Sequence, residues 1–281
     1  MVALPRRVSL ILLALGAIPN GLTAQWALGV DTGVFSRYHW RGLTRRNGAV
    51  WQTDAFVARR IGSTFLTAGA WTSIELARAD PRIGESIGLG HWIGEIDGWV
   101  EWGYFCPCTT LEVGVGYTRY TFPRESGAAA LGSTVFETGE LYARMVARVL
   151  GFLTPRAAVW YDPEETDGAY FEGGLALDIR GLPALVPVLR FGGLAGFSFG
   201  QALDSLAPAR PAYFADDGLT HLDFYTQVQL SIGIAGVPFY VLPAVHLQLN
   251  KDERVKVTGR GGTPAGHTWW VGVTFSLQAL P

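Results

Sequence analysis

Lysine is almost missing from this chain: Lys251 and Lys256 are the only two, and arginine carries the rest of the positive charge. Charge of either sign is scarce. Only 16% of the 281 residues are Asp, Glu, Lys or Arg, against about 25% in ordinary soluble domains. A weakly charged, slightly acidic chain offers no basic patch for a polyanion, so nucleic acid is not an expected partner. Cysteine is limited to Cys106 and Cys108, which excludes a disulfide-stapled scaffold. With no histidine near them in sequence they are too few for a zinc site, and no metal or cofactor is expected. Cys106-Pro107-Cys108 reads as a structural turn, free to form a small ring or to pair with another chain. Gly-x-Ser-x-Gly is absent. Ser36 and His39 are neighbours but fall on opposite faces by alternation, so surface esterase chemistry is not expected. No interior stretch gives a clean run of about 20 apolar residues. Gly181–Gly200 comes nearest, interrupted by Pro183, Pro187 and Arg190.

What is present begins with an export signal. Arg6 and Arg7 form a positive n-region, Val8–Ile18 an apolar h-region, and Leu22-Thr23-Ala24 precedes Gln25 at the expected cleavage point. Residues 1–24 are therefore read as a signal peptide. Their removal leaves 20 basic against 24 acidic residues, a net charge of −4.

The rest of the chain alternates. Near the C-terminus Val271, Val273, Phe275, Leu277 and Ala279 interleave with Gly272, Thr274, Ser276 and Gln278. The same period of two recurs in Leu111–Thr118, Tyr170–Ile179, Asp223–Ile232 and Phe239–Asn250, a strand pattern and not a helical one. About twelve such segments are read, at 26–41, 49–60, 64–75, 95–105, 110–121, 136–149, 154–162, 169–180, 186–197, 222–234, 239–250 and 268–279. Their connections alternate in length. Ile61–Ser63, Cys106–Thr109, Leu150–Leu153, Gly181–Leu185 and Ala235–Pro238 are short, while Leu76–Gly94, Phe122–Val135, Ser198–His221 and Lys251–His267 are long, with Gly42–Gly48 and Pro163–Gly168 the shorter exceptions among the odd connections. An exported, apolar-rich chain with this layout predicts an all-β, antiparallel transmembrane barrel over residues 25–281, with short periplasmic turns and long external loops. Trp26, Trp40, Trp51, Tyr104, Tyr117, Phe122, Tyr161, Phe197, Phe239 and Trp269 fall near segment ends, where interfacial girdles place aromatics.

The polar phase carries the candidate site. Arg37, Arg41, Asp54, Glu95, Asp97, Glu101, Glu140, Arg144, Arg156, Glu172 and Arg190 fall on it and are the pore-lining candidates; Asp31, Glu75, Glu112, Arg148, Asp162, Asp178 and Asp223 share the phase. Held between lipid-facing walls, such charges either pair across the bore or line a wet pore whose opposed patches orient a solute. Glu95-Ile96-Asp97-Gly98-Trp99-Val100-Glu101 also resembles the carboxylate strand of laminarinase-type glycosidases, whose paired acids are nucleophile and acid/base. Glu101 stands one residue too far along, and an acidic ladder facing a lumen is the stronger reading.

One further resemblance covers most of residues 26–180. Tyr38-His39-Trp40-Arg41-Gly42-Leu43-Thr44, followed by Gln52, is similar to the opening motif of the TorF-type porins, a family of uncharacterised outer-membrane proteins. Gly69-Ala70-Trp71-Thr72-Ser73, Glu95-Ile96-Asp97, Gly114–Tyr120, Tyr161-Asp162 and Tyr170-Phe171-Glu172 follow in the family's order. The resemblance implies a β-barrel and a channel role, and supplies no substrate or catalytic residue. The chain departs from many barrels in ending Gln278-Ala279-Leu280-Pro281, with Phe275 its last aromatic in phase.

The function expected is passive diffusion of small hydrophilic solutes across the outer membrane of a Gram-negative-type bacterium, with selection by loops 76–94, 198–221 and 251–267. A non-conducting structural or adhesive barrel is the alternative, and a secreted glycoside hydrolase using Glu95 and Asp97 a lesser one. The expected partners are outer-membrane lipid and the solutes; nothing in the sequence points to an oligomeric state. Arg41-Gly42 is placed where the first strand leaves for its loop, with Arg41 read as a brace at the pore mouth through an inward carboxylate such as Asp54 or Glu95, and as a solute ligand in the second reading.

Overall fold

The computed structural model describes residues 25–46, 48–76, 93–122, 136–181, 188–202, 212–234, 237–256 and 266–279. The expected signal peptide and most of loop 76–94 lie outside the described residues, as do parts of loops 198–221 and 251–267.

Twelve antiparallel strands form a closed barrel: β1 (Gln25–Phe35), β4 (Val50–Ile61), β5 (Thr64–Glu75), β6 (Ile93–Cys106), β7 (Leu111–Phe122), β8 (Phe136–Ala147), β9 (Leu153–Asp162), β10 (Gly168–Arg180), β11 (Val188–Phe199), β12 (Gly218–Ile234), β13 (Val237–Asn250) and β14 (His267–Ala279). Each pairs with its sequence neighbour in the barrel, and β1 closes the ring on β14 through Leu28↔Ala279 to Phe35↔Gly272. Closure leaves no strand edge, so every ladder is satisfied without water. Ten to seventeen residues per strand suffices to cross a hydrocarbon core, which takes about 9–11 tilted residues. No helix among the described residues is long and apolar enough to cross a membrane.

The period of two decides which way each wall faces. On β6, Ile96, Val100 and Trp102 are exposed while Glu95, Asp97 and Glu101 are buried. On β14, Val271, Phe275 and Leu277 are exposed and Ser276 is buried. Leu28, Val34, Leu66, Val115, Leu141, Leu175, Phe224, Val245 and Leu247 extend the apolar outer belt around the barrel. A soluble monomer rarely exposes a contiguous apolar patch beyond about 300–600 Å². A belt of this kind is stable only against hydrocarbon. Trp26, Trp51, Tyr104, Tyr161 and Trp269 stand on the outer face near strand ends, as a girdle requires. Trp40 and Phe122 do not: both are buried on the inner side.

The sequence segments match the strands to within a few residues, with one correction. The first, read as a single strand over 26–41, is two elements. β1 stops at Phe35, and the chain turns into a separate ribbon of β2 (Tyr38–Trp40) and β3 (Leu43–Arg46). Cys106 and Cys108 are joined to each other by a disulfide in the β6–β7 turn.

Candidate functional site: a polar interior bridged by a hairpin

The ribbon β2–β3 leaves the wall at the long-connection end and folds into the bore. Trp40 pairs with Leu43 across a turn made of Arg41 and Gly42 alone. Both turn residues have positive φ, 49° and 83°, the geometry of a type I′ hairpin turn. A Cβ on Gly42 would come 2.5 Å from the His221 ring, so this close approach also demands glycine.

Arg41 is the tip of the hairpin and is 4% exposed. Its Nη1 donates to Glu140 Oε1 at 2.6 Å and its Nη2 to Glu140 Oε2, a bidentate pair to β8. The guanidinium also lies over the rings of Trp40 (4.4 Å), Trp160 (5.1 Å) and Tyr170 (4.9 Å). Burial alone would push its pKa down; Glu140 outweighs that and the net shift is upward, so Arg41 stays charged. The expected partners Asp54 and Glu95 are not the ones it takes. Trp99 Nε1 donates to Asp54 at 3.2 Å, and Glu95 accepts from the Tyr38 hydroxyl at 2.6 Å.

Other hairpin contacts reach round the barrel. Arg46 donates to Glu75 on β5. His39 stacks on Trp270 of β14, ring centroids 4.1 Å apart. Gln248 of β13 donates to the Gly42 carbonyl at 2.7 Å. Tyr38 and Trp40 pack with Val50 and Trp71, while Leu43 also meets a second cluster of Tyr170, Phe214 and Val255. Phe214 and Val255 belong to the described parts of the long connections 198–221 and 251–267, and these described parts also pack into the mouth. A segment touching β5, β6, β8, β10, β13 and β14 spans the bore from side to side.

Below the hairpin one arc of the wall is acidic and the next carries both signs. The inward face of β1 and β4 to β7 carries Asp31, Asp54, Glu75, Glu95, Asp97, Glu101 and Glu112. Arg60, in the same phase, lies beside a turn and donates to the Gly62 carbonyl. The next arc, β8 to β11, is mixed: Arg144, Arg156 and Arg190 stand beside Glu140, Asp162, Glu172 and Asp178. Arg144 clasps Glu101 with two bonds of 2.6 Å and lies 2.5 Å from Glu112. Gly116 leaves room for the Tyr142 ring, whose hydroxyl donates to the same Glu101 at 3.2 Å. Arg190 clasps Asp178 at 2.6 and 2.9 Å. Arg156 lies 5.5 Å above the Tyr225 ring. Tyr225 stacks on His246, which stacks on Trp270, and His246 Nδ1 sits 3.0 Å from Asp223 Oδ2.

Of the sequence candidates, Asp54, Glu95, Asp97, Glu101, Glu140, Arg144, Arg156 and Glu172 are buried on the inner side, Arg190 is partly buried there, and Arg41 reaches the bore on the hairpin. Arg37 is half-buried in the short link between β1 and β2 and belongs to no strand. Glu95 and Asp97 share the inward face, as the alternation requires. Tyr225, His246 and Trp270 were not singled out, although each stands in the polar phase of its strand. An aromatic ring in that phase was the available signal.

No family model and no curated protein matches the chain. Among solved structures, it is similar to the COG4313 outer membrane channel from Pseudomonas putida F1, with TM-score 0.49 and 10% identity over 92% of this chain and 97% of that one. It is similar to LpxR from Salmonella typhimurium, with TM-score 0.47 and 9% identity over 89% and 99%. It is also similar to the KdgM porin in complex with disordered oligogalacturonate, with TM-score 0.38 and 10% identity over 90% and 97%. Such likeness is one of barrel outline and does not extend to what each protein does.

Proposed function

We propose that the chain is a porin-like channel of a bacterial outer membrane, passing small hydrophilic solutes by diffusion. The observation that carries this reading is the interior itself: carboxylates on β1 and β4–β7, and arginines mixed with carboxylates on β8–β11, line one bore within a closed wall. A barrel needing only to sit in lipid would be served by an apolar filling, because burying charge costs more than it returns unless water or solute shares the space. Inward carboxylates outnumber inward arginines among the described residues, which favours cations over anions. The hairpin at 38–46 is the constriction. The short turns face the periplasm and the long connections the exterior, the arrangement common to such barrels.

The test is conductance in planar bilayers of the mature protein and of a variant whose residues 37–46 are replaced by a short Gly/Ser link. The expected result is a cation-preferring conductance in the first and a several-fold larger one in the second. Closed bilayers with both proteins, each still showing a heat-modifiable band, would sink the channel reading and leave the non-conducting barrel.

A further inference from the structure

Arg156 differs from the other deeply buried arginines of the bore. Arg41 and Arg144 each hold carboxylates with both ends of the guanidinium, and the partly buried Arg190 does the same. Arg156 is 9% exposed, and its Nε and Nη2 have no hydrogen-bond partner. Two strand positions along the same stretch of wall hold the opposite charge. Glu172 is 5% exposed, and the opposite charge acting on it most strongly is Arg156. Asp223 is fully buried; its Oδ2 meets His246 while its Oδ1 has no partner. Buried polar atoms left without a hydrogen bond are costly, and in a mutually supportive interior they mark a place for a ligand to complete.

The wall holds these groups in fixed positions. Arg156 pairs in register with Gly174, and a Cβ there would lie 3.1 Å from Arg156 Nε, so the glycine seats the side chain. The far face of the guanidinium rests on Tyr225, whose ring lies over Gly192. Glu172 is one strand from Arg156 and two residues along, opposite Ala158 and Gly196. Asp223 lies across β11 from Glu172, opposite Leu194. Arg156 and Asp223 are thus three strand spacings apart, about 14 Å along the wall and less between side chains that converge on the bore.

Resting on the channel reading above, we propose that Arg156, Glu172 and Asp223 form a binding site for a small zwitterion such as an amino acid or dipeptide. The solute's carboxylate sits on the Arg156 guanidinium and its ammonium group on Glu172 and the open oxygen of Asp223. A planar fork suits the carboxylate, and two carboxylates suit a compact ammonium. A solute with either charge alone would leave one side of the site unmatched.

Calorimetric titration of the mature barrel in detergent tests this without requiring conductance. The probes are glycylglycine, N-acetylglycine, which lacks the ammonium group, and glycinamide, which lacks the carboxylate. Glycylglycine is expected to bind about tenfold or more tighter than either of the others. Arg156→Gln should erase its advantage over glycinamide, Glu172→Gln its advantage over N-acetylglycine, and Arg156→Lys should keep much of both. If Arg156→Gln loses its heat-modifiable band, the wild-type ranking and the Glu172→Gln titration decide. Equal binding of the three probes, no binding of glycylglycine, or a folded Glu172→Gln protein with unchanged ranking would each overturn the site. Conductance without binding would remove the site alone; binding without conductance would remove the channel and keep the site.

Discussion

Arg41 and Arg119 use the same chemistry in two regions of the molecule. Arg41, inside the mouth, clasps Glu140 with both partners almost wholly buried. Arg119, on the outward phase of β7 at the same end, pairs with Glu137 and Glu164, all three about two-fifths exposed. Within the mouth both partners are shielded from solvent, and three aromatic rings hold the guanidinium in place. At the rim, water and ions replace a lost partner at once. The contrast separates interactions that fix the architecture from those that decorate it, and distance alone does not reveal it.

The largest expected effect is at Glu140. Glu140→Gln leaves Arg41 buried without a counter-charge, which costs about 3–5 kcal/mol. The hairpin can escape that penalty only by leaving the wall. Thermal unfolding should fall steeply, single-channel current should rise, and Arg41→Met in the same chain should restore part of the stability. A Glu140→Gln barrel as stable as the parent would break the contrast with Arg119 outright. Next comes an arginine placed where no partner exists. Val100 lies mid-strand on the outer face of β6, beside the inward Glu101. Val100→Arg should destabilise the folded state by about 2–4 kcal/mol in lipid. Folding in vesicles under denaturant measures this, and a neutral result would mean that the outer belt does not meet hydrocarbon.

The wall was legible in the sequence because the inward and outward solvents differ so sharply. Each strand needs apolar residues at every second position over ten or more residues, and that repetition survives local noise. β5 is read to the residue, and β14 within one. The hairpin was not legible for the same reason. Tyr38-His39-Trp40 continues the alternation of β1 without a break, so periodicity alone cannot tell a strand that continues from one that bends inward. The turn gave no warning either, since Arg-Gly lacks the Asn-Gly or Asp-Gly signature of a two-residue hairpin. Pairing was less legible still. Alternation places Arg41 and Glu140 on the same side of the wall, but only the inward fold brings residues 99 apart in sequence together. Alternation could assign a side of the wall, while the partners depended on topology.

Arg144 sharpens the comparison from the middle. It is as buried as Arg41 but holds two carboxylates of the wall, Glu112 on the neighbouring β7 and Glu101 one strand further on β6. Glu101→Gln removes one charge and leaves the other, so the guanidinium is never stranded. The loss is that of a charge-assisted bond, about 1–3 kcal/mol, smaller than at Glu140 despite equal burial. Unfolding midpoints of the two variants, measured side by side, check the ordering; a reversed order would mean that the hairpin contributes less to the mouth than its contacts imply. The smallest effect is at the rim. Arg119→Ala deletes two ion pairs at once, yet exposed pairs are worth about 0–1 kcal/mol, and raising the salt concentration should shrink even that. The variant should unfold within a degree or two of the parent and conduct identically. A loss at Arg119 approaching that at Glu140 would require the outer rim of β7 to be shielded from water, as it would be if another molecule covered that side of the barrel.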